Sequence, residues 1–437
     1  MNLRKRVIWP LLALVVLALV PAQLSATNGM YLTGYSAETI GRGGANLAIS
    51  DRSLALNFNP AGISQLQGNH FTLNLSVLAP TLEFENMVNT PVDGDSRFFP
   101  LPALAYVRGS KDSPWTWGVG FVAQGGMGAT FRPVNTFFGT QDELYSQVAF
   151  MTLTPTVSYA VNEDMAFGLA VNLGYGDVSF RFFPGTSFFN MDNPMMSFPG
   201  VKMENAAGFQ WNLRGGWWWR PTPKFSMGLI YQTETESTFK DGDLWVNYTN
   251  FPFIGKRVKY TAETEGFAFA AQAGIGFAFR PNDRWVLALD IKRYYWDDSM
   301  DTILVTGKNP SPAVPPPFDV VELPFVFDWE DQWVIAIGGD YRLNDRWTLR
   351  GGYNHGDNPV PADTLTPLFP AIVEDHLTFG FGFLAGSITY DFAIEHALNN
   401  SQTNNNPDPM VNPFGPGSRV DHSQWTVSFG VSWAWAR

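Results

Sequence analysis

The sequence predicts an all-β fold, a 14-stranded antiparallel transmembrane β-barrel with an N-terminal hatch in its lumen. Three observations carry this reading: short turns at nearly constant spacing, apolar–polar alternation between them, and aromatic residues where the alternating runs end. The turns Asn162-Glu163-Asp164-Met165, Pro221-Thr222-Pro223-Lys224-Phe225, Pro281-Asn282-Asp283-Arg284-Trp285 and Leu343-Asn344-Asp345-Arg346-Trp347 start 59, 60 and 62 residues apart. Reversals at Gly109 to Pro114 and Leu384 to Ser387 extend the series to six. Six short turns, with both chain ends on their side, leave seven hairpins opposite, and so fourteen strands. Composition agrees. Aromatic residues make up 15% of 437 residues and charged residues only 16%, yet mean hydropathy is −0.08, as expected when apolar residues are interleaved with Gly, Ser, Thr and Asn. The absence of cysteine excludes disulfides and thiolate metal sites. A formal net charge of −12 argues against nucleic acid as a partner.

Residues 1–26 read as a secretion signal. Arg4, Lys5 and Arg6 precede an apolar run from Leu11 to Val20, and Leu24-Ser25-Ala26 ends on a small residue. Ten apolar residues are too few to span a bilayer as a helix, which takes roughly 20. A secreted chain rich in amphipathic strands points to the outer membrane of a Gram-negative cell. Residues 27–68 do not alternate. Gly41-Arg42-Gly43-Gly44-Ala45 and Asn57-Phe58-Asn59-Pro60-Ala61-Gly62 suit short helical turns, and hence a compact hatch ahead of a barrel over 69–437. The glycine cluster lacks the preceding strand and the Lys-Ser/Thr of a nucleotide loop.

The strands follow. Trp115, Trp117, Val119 and Phe121 share a face in the third, which breaks at Gln124-Gly125-Gly126-Met127-Gly128, where glycine permits a bend or simply starts the loop. Met165, Phe167, Leu169, Val171, Leu173 and Tyr175 form another face, as do Leu377, Phe379, Phe381 and Phe383, then Ile388, Tyr390, Phe392 and Ile394. The clearest is the last, where Trp425, Val427, Phe429, Val431, Trp433 and Trp435 alternate with small and polar residues. Long loops are expected at 81–98, 126–146, 182–205, 237–262, 298–326, 357–372 and 398–420. The third carries Phe182, Phe183, Phe188, Phe189, Met191, Met195, Met196 and Phe198. Such a loop either packs on itself or meets an apolar ligand. Alternation turns three cations inward: Lys292 beside Leu289 and Ile291, Arg350 beside Leu349, and Arg214 beside Leu213. Each can bind an anionic ligand or pair with lumenal acids such as Asp290, Asp340, Asp391 or Glu395. The five histidines (70, 355, 376, 396 and 422) are scattered, so no catalytic or metal site and no cofactor is expected.

The Gly-rich start, the Ser50-Asp51 block ending in Asn59-Pro60-Ala61-Gly62, and the strand Trp347-Thr348-Leu349-Arg350-Gly351-Gly352-Tyr353 resemble the FadL/TodX type of outer-membrane transporter of long-chain fatty acids and hydrocarbons. The resemblance covers the mature chain. It implies fourteen strands, a hatch bearing Asn59 to Gly62, and a third strand kinked at Gly125, Gly126 and Gly128 to open a side door into the bilayer. It also implies capture of a hydrophobic small molecule by the third and fourth outer loops, the latter bearing Phe251, Phe253 and Ile254, and passage to a lumenal pocket. Expected partners are that ligand, membrane lipid, lipopolysaccharide and the barrel assembly machinery, with the chain acting as a monomer. Alternatives are an uptake channel for aromatic hydrocarbons and a general porin. The ending Trp435-Ala436-Arg437 departs from the terminal aromatic common in such barrels.

Overall fold

A computed structural model describes residues 28–436, apart from the side chains of Met195 and Glu236, so the expected signal segment lies outside the described residues. Alternation converts the chain into twenty strands: β1 (Gly68–Asn86), β2 (Asn89–Asp93), β3 (Phe99–Gly109), β4 (Trp115–Met127), β5 (Thr130–Asn135), β6 (Gln141–Asn162), β7 (Met165–Phe188), β8 (Phe198–Thr222), β9 (Phe225–Gln232) and β10 (Thr235–Asn247). They continue with β11 (Arg257–Phe269), β12 (Ala271–Phe279), β13 (Trp285–Tyr295), β14 (Thr302–Ser311), β15 (Val321–Val326), β16 (Gln332–Arg342), β17 (Trp347–Gly356), β18 (Asp375–Ala385), β19 (Ile388–Asn404) and β20 (Ser418–Trp435). Fourteen of them close a ring in the order β1, β3, β4, β6, β7, β8, β9, β12, β13, β16, β17, β18, β19, β20. The ring is sealed by β1 against β20, paired from Asn69↔Trp435 to Glu85↔Arg419. Closure leaves no strand edge to face lipid, which is why a barrel can span a bilayer.

All six short turns fall where the sequence put them, between β3 and β4, β6 and β7, β8 and β9, β12 and β13, β16 and β17, and β18 and β19. The two faces also separate as expected. On β20, Trp425, Val427, Phe429 and Trp433 are exposed on the outside, while Thr426, Ser428 and Ser432 are buried in the lumen. The loops differ from expectation. β7 and β8 run for 24 and 25 residues, so only 189–197 of the expected loop at 182–205 lies outside them. β10 with β11, and β14 with β15, likewise build hairpins in ranges expected as loops. Beyond the lipid, strands still gain by pairing, but nothing there imposes the apolar-out pattern that marks a strand in sequence.

Residues 28–67 lie inside the ring. They form helix α1 (Ala37–Gly41), capped by Ser36, and two 3-10 turns, Ser53–Asn57 and Pro60–Gln65. Asn59 caps the second turn through Oδ1, which accepts from the Ala61 amide at 3.1 Å, and its Nδ2 donates to the Leu47 and Trp217 carbonyls at 2.9 and 3.0 Å. Ser158 on the wall donates to the Ala61 carbonyl at 2.9 Å. The Asn-Pro-Ala-Gly motif is therefore a joint between the hatch and the barrel wall.

Candidate functional site

The inward face of β6 changes character part-way along. Ser158, Thr156, Thr154 and Thr152 are followed by Phe150, Val148 and Leu144, all buried. The half on the side of the short turns is filled by the hatch, which meets a polar wall on β6 and packs Leu47, Leu54, Leu56, Ile63 and Leu66 into a smaller apolar cluster with Ala105 and Val107 of β3. The extracellular half is aromatic.

The hatch half is also held by ion pairs. Arg42 donates through Nε to Asp340 at 2.7 Å and through Nη1 to Asn46 at 2.7 Å, and it also contacts Glu38 and Asp51. Burial pushes the Glu38 carboxyl up to about 8; neighbouring Asp51 adds to the rise and Arg42 opposes it. Two glycines let the hatch approach the wall: a Cβ on Gly338 would sit 2.1 Å from the Arg42 carbonyl oxygen, and one on Gly352 2.4 Å from the Arg42 carbonyl carbon.

The three inward cations are all buried in the lumen, in different company. Arg350 pairs with Asp391 at 2.7 Å and Lys292 lies 3.6 Å from Asp290, the structural outcome the sequence allowed for each. Lys292 also donates to the hatch carbonyl of Gly44 at 3.0 Å. Arg214 has no carboxylate partner among the described residues. Its Nε donates to Gln232 at 2.9 Å and its Nη1 to the hatch carbonyl of Asn57.

Above Arg214 the hatch ends in an aromatic nest. Tyr31 stacks on Tyr294 at 4.6 Å and packs against Phe269 and Trp296 at 5.0 and 5.7 Å; Phe269 meets Phe150 at 4.7 Å. One apolar cluster runs from this nest through Phe180, Phe239 and Phe267 to Phe183, Phe251 and Phe414, with Phe182, Phe189, Phe198 and Ile254 packed against it. The loop residues singled out by sequence thus divide. Phe182, Phe183, Phe198 and Phe251 belong to the packed cluster, and Phe188 stacks on Phe138 at 4.9 Å. Met191, Met196 and Phe253 are exposed, at 82%, 64% and 83%. The side chain of Met195 lies outside the described residues. At the border of the two halves, a cavity of about 10 Å³ is lined by Gln124, Asn172, Gln210, Asn212, Gln232 and Phe269, room for one water.

The wall is incomplete at this border. β4 pairs with β3 only as far as Val122↔Ala103, whereas β3 continues along β1 to Phe99. Past that point β4 stays on β6, with a bulge between Ala123 and Gly125. β3 carries Pro100 and Pro102 here, residues with no N–H to offer a neighbour and at home on an unpaired edge. Tyr31 of the hatch bridges to Gly125, and a Cβ on Gly125 would lie 1.9 Å from the Met30 carbonyl oxygen. Gly126 and Gly128 follow in the segment that stays on β6 and then leaves β4. Tyr35 and Gln124 fasten the bulge, Gln124 Nε2 donating to the Tyr35 hydroxyl at 2.7 Å. Sequence reasoning found the glycines but missed the aromatic nest, the Arg42 cluster and the two prolines. The change of inward residues along β6 was the available signal for the first.

The family model described as outer membrane protein transport protein (OMPP1/FadL/TodX) matches residues 17–434. The chain is 22% identical over 401 residues to a long-chain fatty acid transport protein of Salmonella typhi, covering 82% of this chain and 84% of that one. Among solved structures, the P. putida toluene transporter TodX superposes with a TM-score of 0.75 at 20% identity, covering 93% of this chain and all of that one. A Pseudomonas aeruginosa FadL homologue superposes with a TM-score of 0.73 at 18% identity, covering 93% and 99%.

Proposed function

Because this chain belongs to the outer membrane protein transport protein family (OMPP1/FadL/TodX), we propose that it carries hydrophobic molecules, long-chain fatty acids or related hydrocarbons, passively into the outer membrane. It is a transporter of the FadL/TodX type and not an enzyme. The observation that carries the route is the coincidence of two ends: the apolar cluster that reaches the outer loops stops, and the hatch's own cluster begins, at the level where β4 leaves β3. A hydrophobic molecule caught by Met191, Met196 and Phe253 exchanges contacts with the phenylalanines beneath, reaches the Tyr31 nest and displaces it. It then leaves sideways past Gly125, Gly126 and Gly128 between β3 and β4. The half below is closed to it because the hatch fills it, held to the wall by ion pairs and by an apolar cluster of its own. Residues 1–26 direct export, the assembly machinery inserts the barrel, and the closed ring acts as a monomer among lipid and lipopolysaccharide. Labelled oleate and toluene should both enter faster in cells carrying the barrel; equal uptake without it overturns the reading. A steady single-channel conductance would instead indicate a porin.

Arg214 separates the ligand classes. It is the inward cation with no carboxylate partner among the described residues, and it lies beside the nest, where it could take the head of a fatty acid once the Asn57 carbonyl withdraws. Arg214→Gln should slow oleate uptake about tenfold, near 1.4 kcal/mol, and leave toluene uptake unchanged. Equal losses for both would assign Arg214 to holding the hatch, and no loss for either would favour a neutral aromatic hydrocarbon as the ligand.

A further inference from the structure

At the periplasmic mouth, the turn between β16 and β17 lies beside the turn between β18 and β19, the Leu384 amide donating to the Arg346 carbonyl at 2.8 Å, and Arg52 of the hatch approaches them from the lumen. Between them is a cavity of about 360 Å³ into which four arginines converge: Arg52 from the hatch, and Arg342, Arg346 and Arg350 from the wall. Thr348 and Thr389 add hydroxyls, and Asp345 is the one carboxylate in its lining. This concentration of positive charge stands in a chain of net charge −12.

Its cations are only partly spent. Arg350 holds Asp391 with Nη1, but its Nε lies 3.5 Å from Asp340 without a hydrogen bond. The Arg52 Nε is 3.7 Å from Glu38 and is also a buried donor without a hydrogen-bond partner. Arg342 and Arg346 have no ion-pair partner among the described residues. Arg342 and Arg346 are exposed at the rim and free to turn toward a ligand, and a fork of guanidinium donors with flanking hydroxyls matches the oxygens of a tetrahedral oxyanion.

We propose that this mouth is an oxyanion-binding site that takes inorganic phosphate or a small phosphomonoester from the periplasm. The anion bridges Arg52 of the hatch to Arg342 and Arg346 of the wall, tying the hatch down on the side away from the transport route. The site does not depend on which molecule is transported.

Phosphate titrated into the purified full-length barrel at fixed ionic strength, with chloride as the control, should show one site by calorimetry and raise the melting temperature. Arg342→Gln with Arg346→Gln should weaken phosphate binding at least tenfold, while heat-modifiable migration and uptake stay as in the parent barrel. Absence of binding above the chloride control overturns the proposal, and so does unchanged binding in the double variant. Binding of an Asp-rich peptide with no response to phosphate or glycerol 3-phosphate would overturn it in favour of a protein partner. Glycerol 3-phosphate binding more tightly than phosphate would support it and identify the monoester as the preferred form.

Discussion

The two halves of the lumen have opposite ways of being full. Below the nest, the hatch packs a small aliphatic cluster against the wall and is fixed in place by directional contacts, with Arg42 reaching Asp340 and Lys292 reaching Gly44, and glycines such as Gly338 and Gly352 clear space for its backbone. Above it, Phe150, Phe239, Phe267 and Phe269 fill the barrel with rings at 4.7 to 6.0 Å. Hydrogen bonds and ion pairs hold one geometry and lose much when one partner goes. Ring packing is less directional, and an apolar guest can replace an apolar neighbour at small cost. On the proposed route the lower half would act as a seal and the upper half as an exchangeable solvent for greasy molecules. The unpaired stretch between β3 and β4 lies where one gives way to the other.

Breaking the seal should have the largest effect. Arg42→Met leaves Asp340, Asp51 and Glu38 without their shared cation, a change that costs about 3–5 kcal/mol in a buried site. Planar-bilayer recordings should then show open-channel conductance, and an unaltered silent barrel would remove the Arg42 cluster from the seal. Next comes the border. Replacing Gly125, Gly126 and Gly128 with Val sets side chains against the Met30 and Ser146 carbonyl oxygens. Uptake should fall about tenfold, worth 1.4 kcal/mol, in barrels whose heat-modifiable migration is normal. Unchanged uptake in a properly inserted variant would place the exit elsewhere.

A smaller effect tests the seal from within. Glu38 faces Arg42, Arg52 and Asp51 of the hatch, and Asp340, Arg350 and Asp391 line the wall nearby. Its carboxyl is raised to about 8 in the folded barrel, chiefly by burial. A raised folded pKa favours the protonated form, so the stability it contributes is complete below the unfolded value near 4.3 and is lost as pH rises through about 8. Brief channel openings should become about fivefold more frequent between pH 6 and 9, near 1 kcal/mol, and Glu38→Gln should flatten that dependence. A slope that survives in Glu38→Gln would assign the titration to another group.

The strand count was legible because lipid enforces period two and the periplasmic turns are short; the loops were not, because no lipid disciplines β7 and β8 beyond Tyr175 and Phe209. Lys292 and Arg350 were correctly turned inward by parity, yet their partners Asp290 and Asp391 could be named only as alternatives. Arg42 stood in view within Gly41-Arg42-Gly43-Gly44 but reaches Asp340 across 298 positions of sequence, a pairing that no local pattern encodes. The glycine break in the third strand was visible; that β3 stops pairing with β4 there, beside Pro100 and Pro102, while staying on β1, emerges only from the register.

The smallest expected effect concerns the outermost aromatic and thioether side chains, and it tests whether capture and conduction are separate steps. Phe253 and Met191 are more than four-fifths exposed and make little contact with the cluster beneath, so truncating them removes almost no packing. Surface substitutions of this kind stay within about 0.5 kcal/mol, a change of roughly twofold. Phe253→Ala with Met191→Ala should therefore double the oleate concentration that half-saturates uptake, leave the maximal rate intact and leave the melting temperature unmoved. Phe198→Ala, by contrast, opens a hole beside Phe182, Phe183 and Phe138 and should lower stability along with the maximal rate. If the exposed pair lowered the maximal rate as the buried residue does, the loops would be part of the conduit itself, and the distinction between a capturing surface and an exchangeable interior would fail.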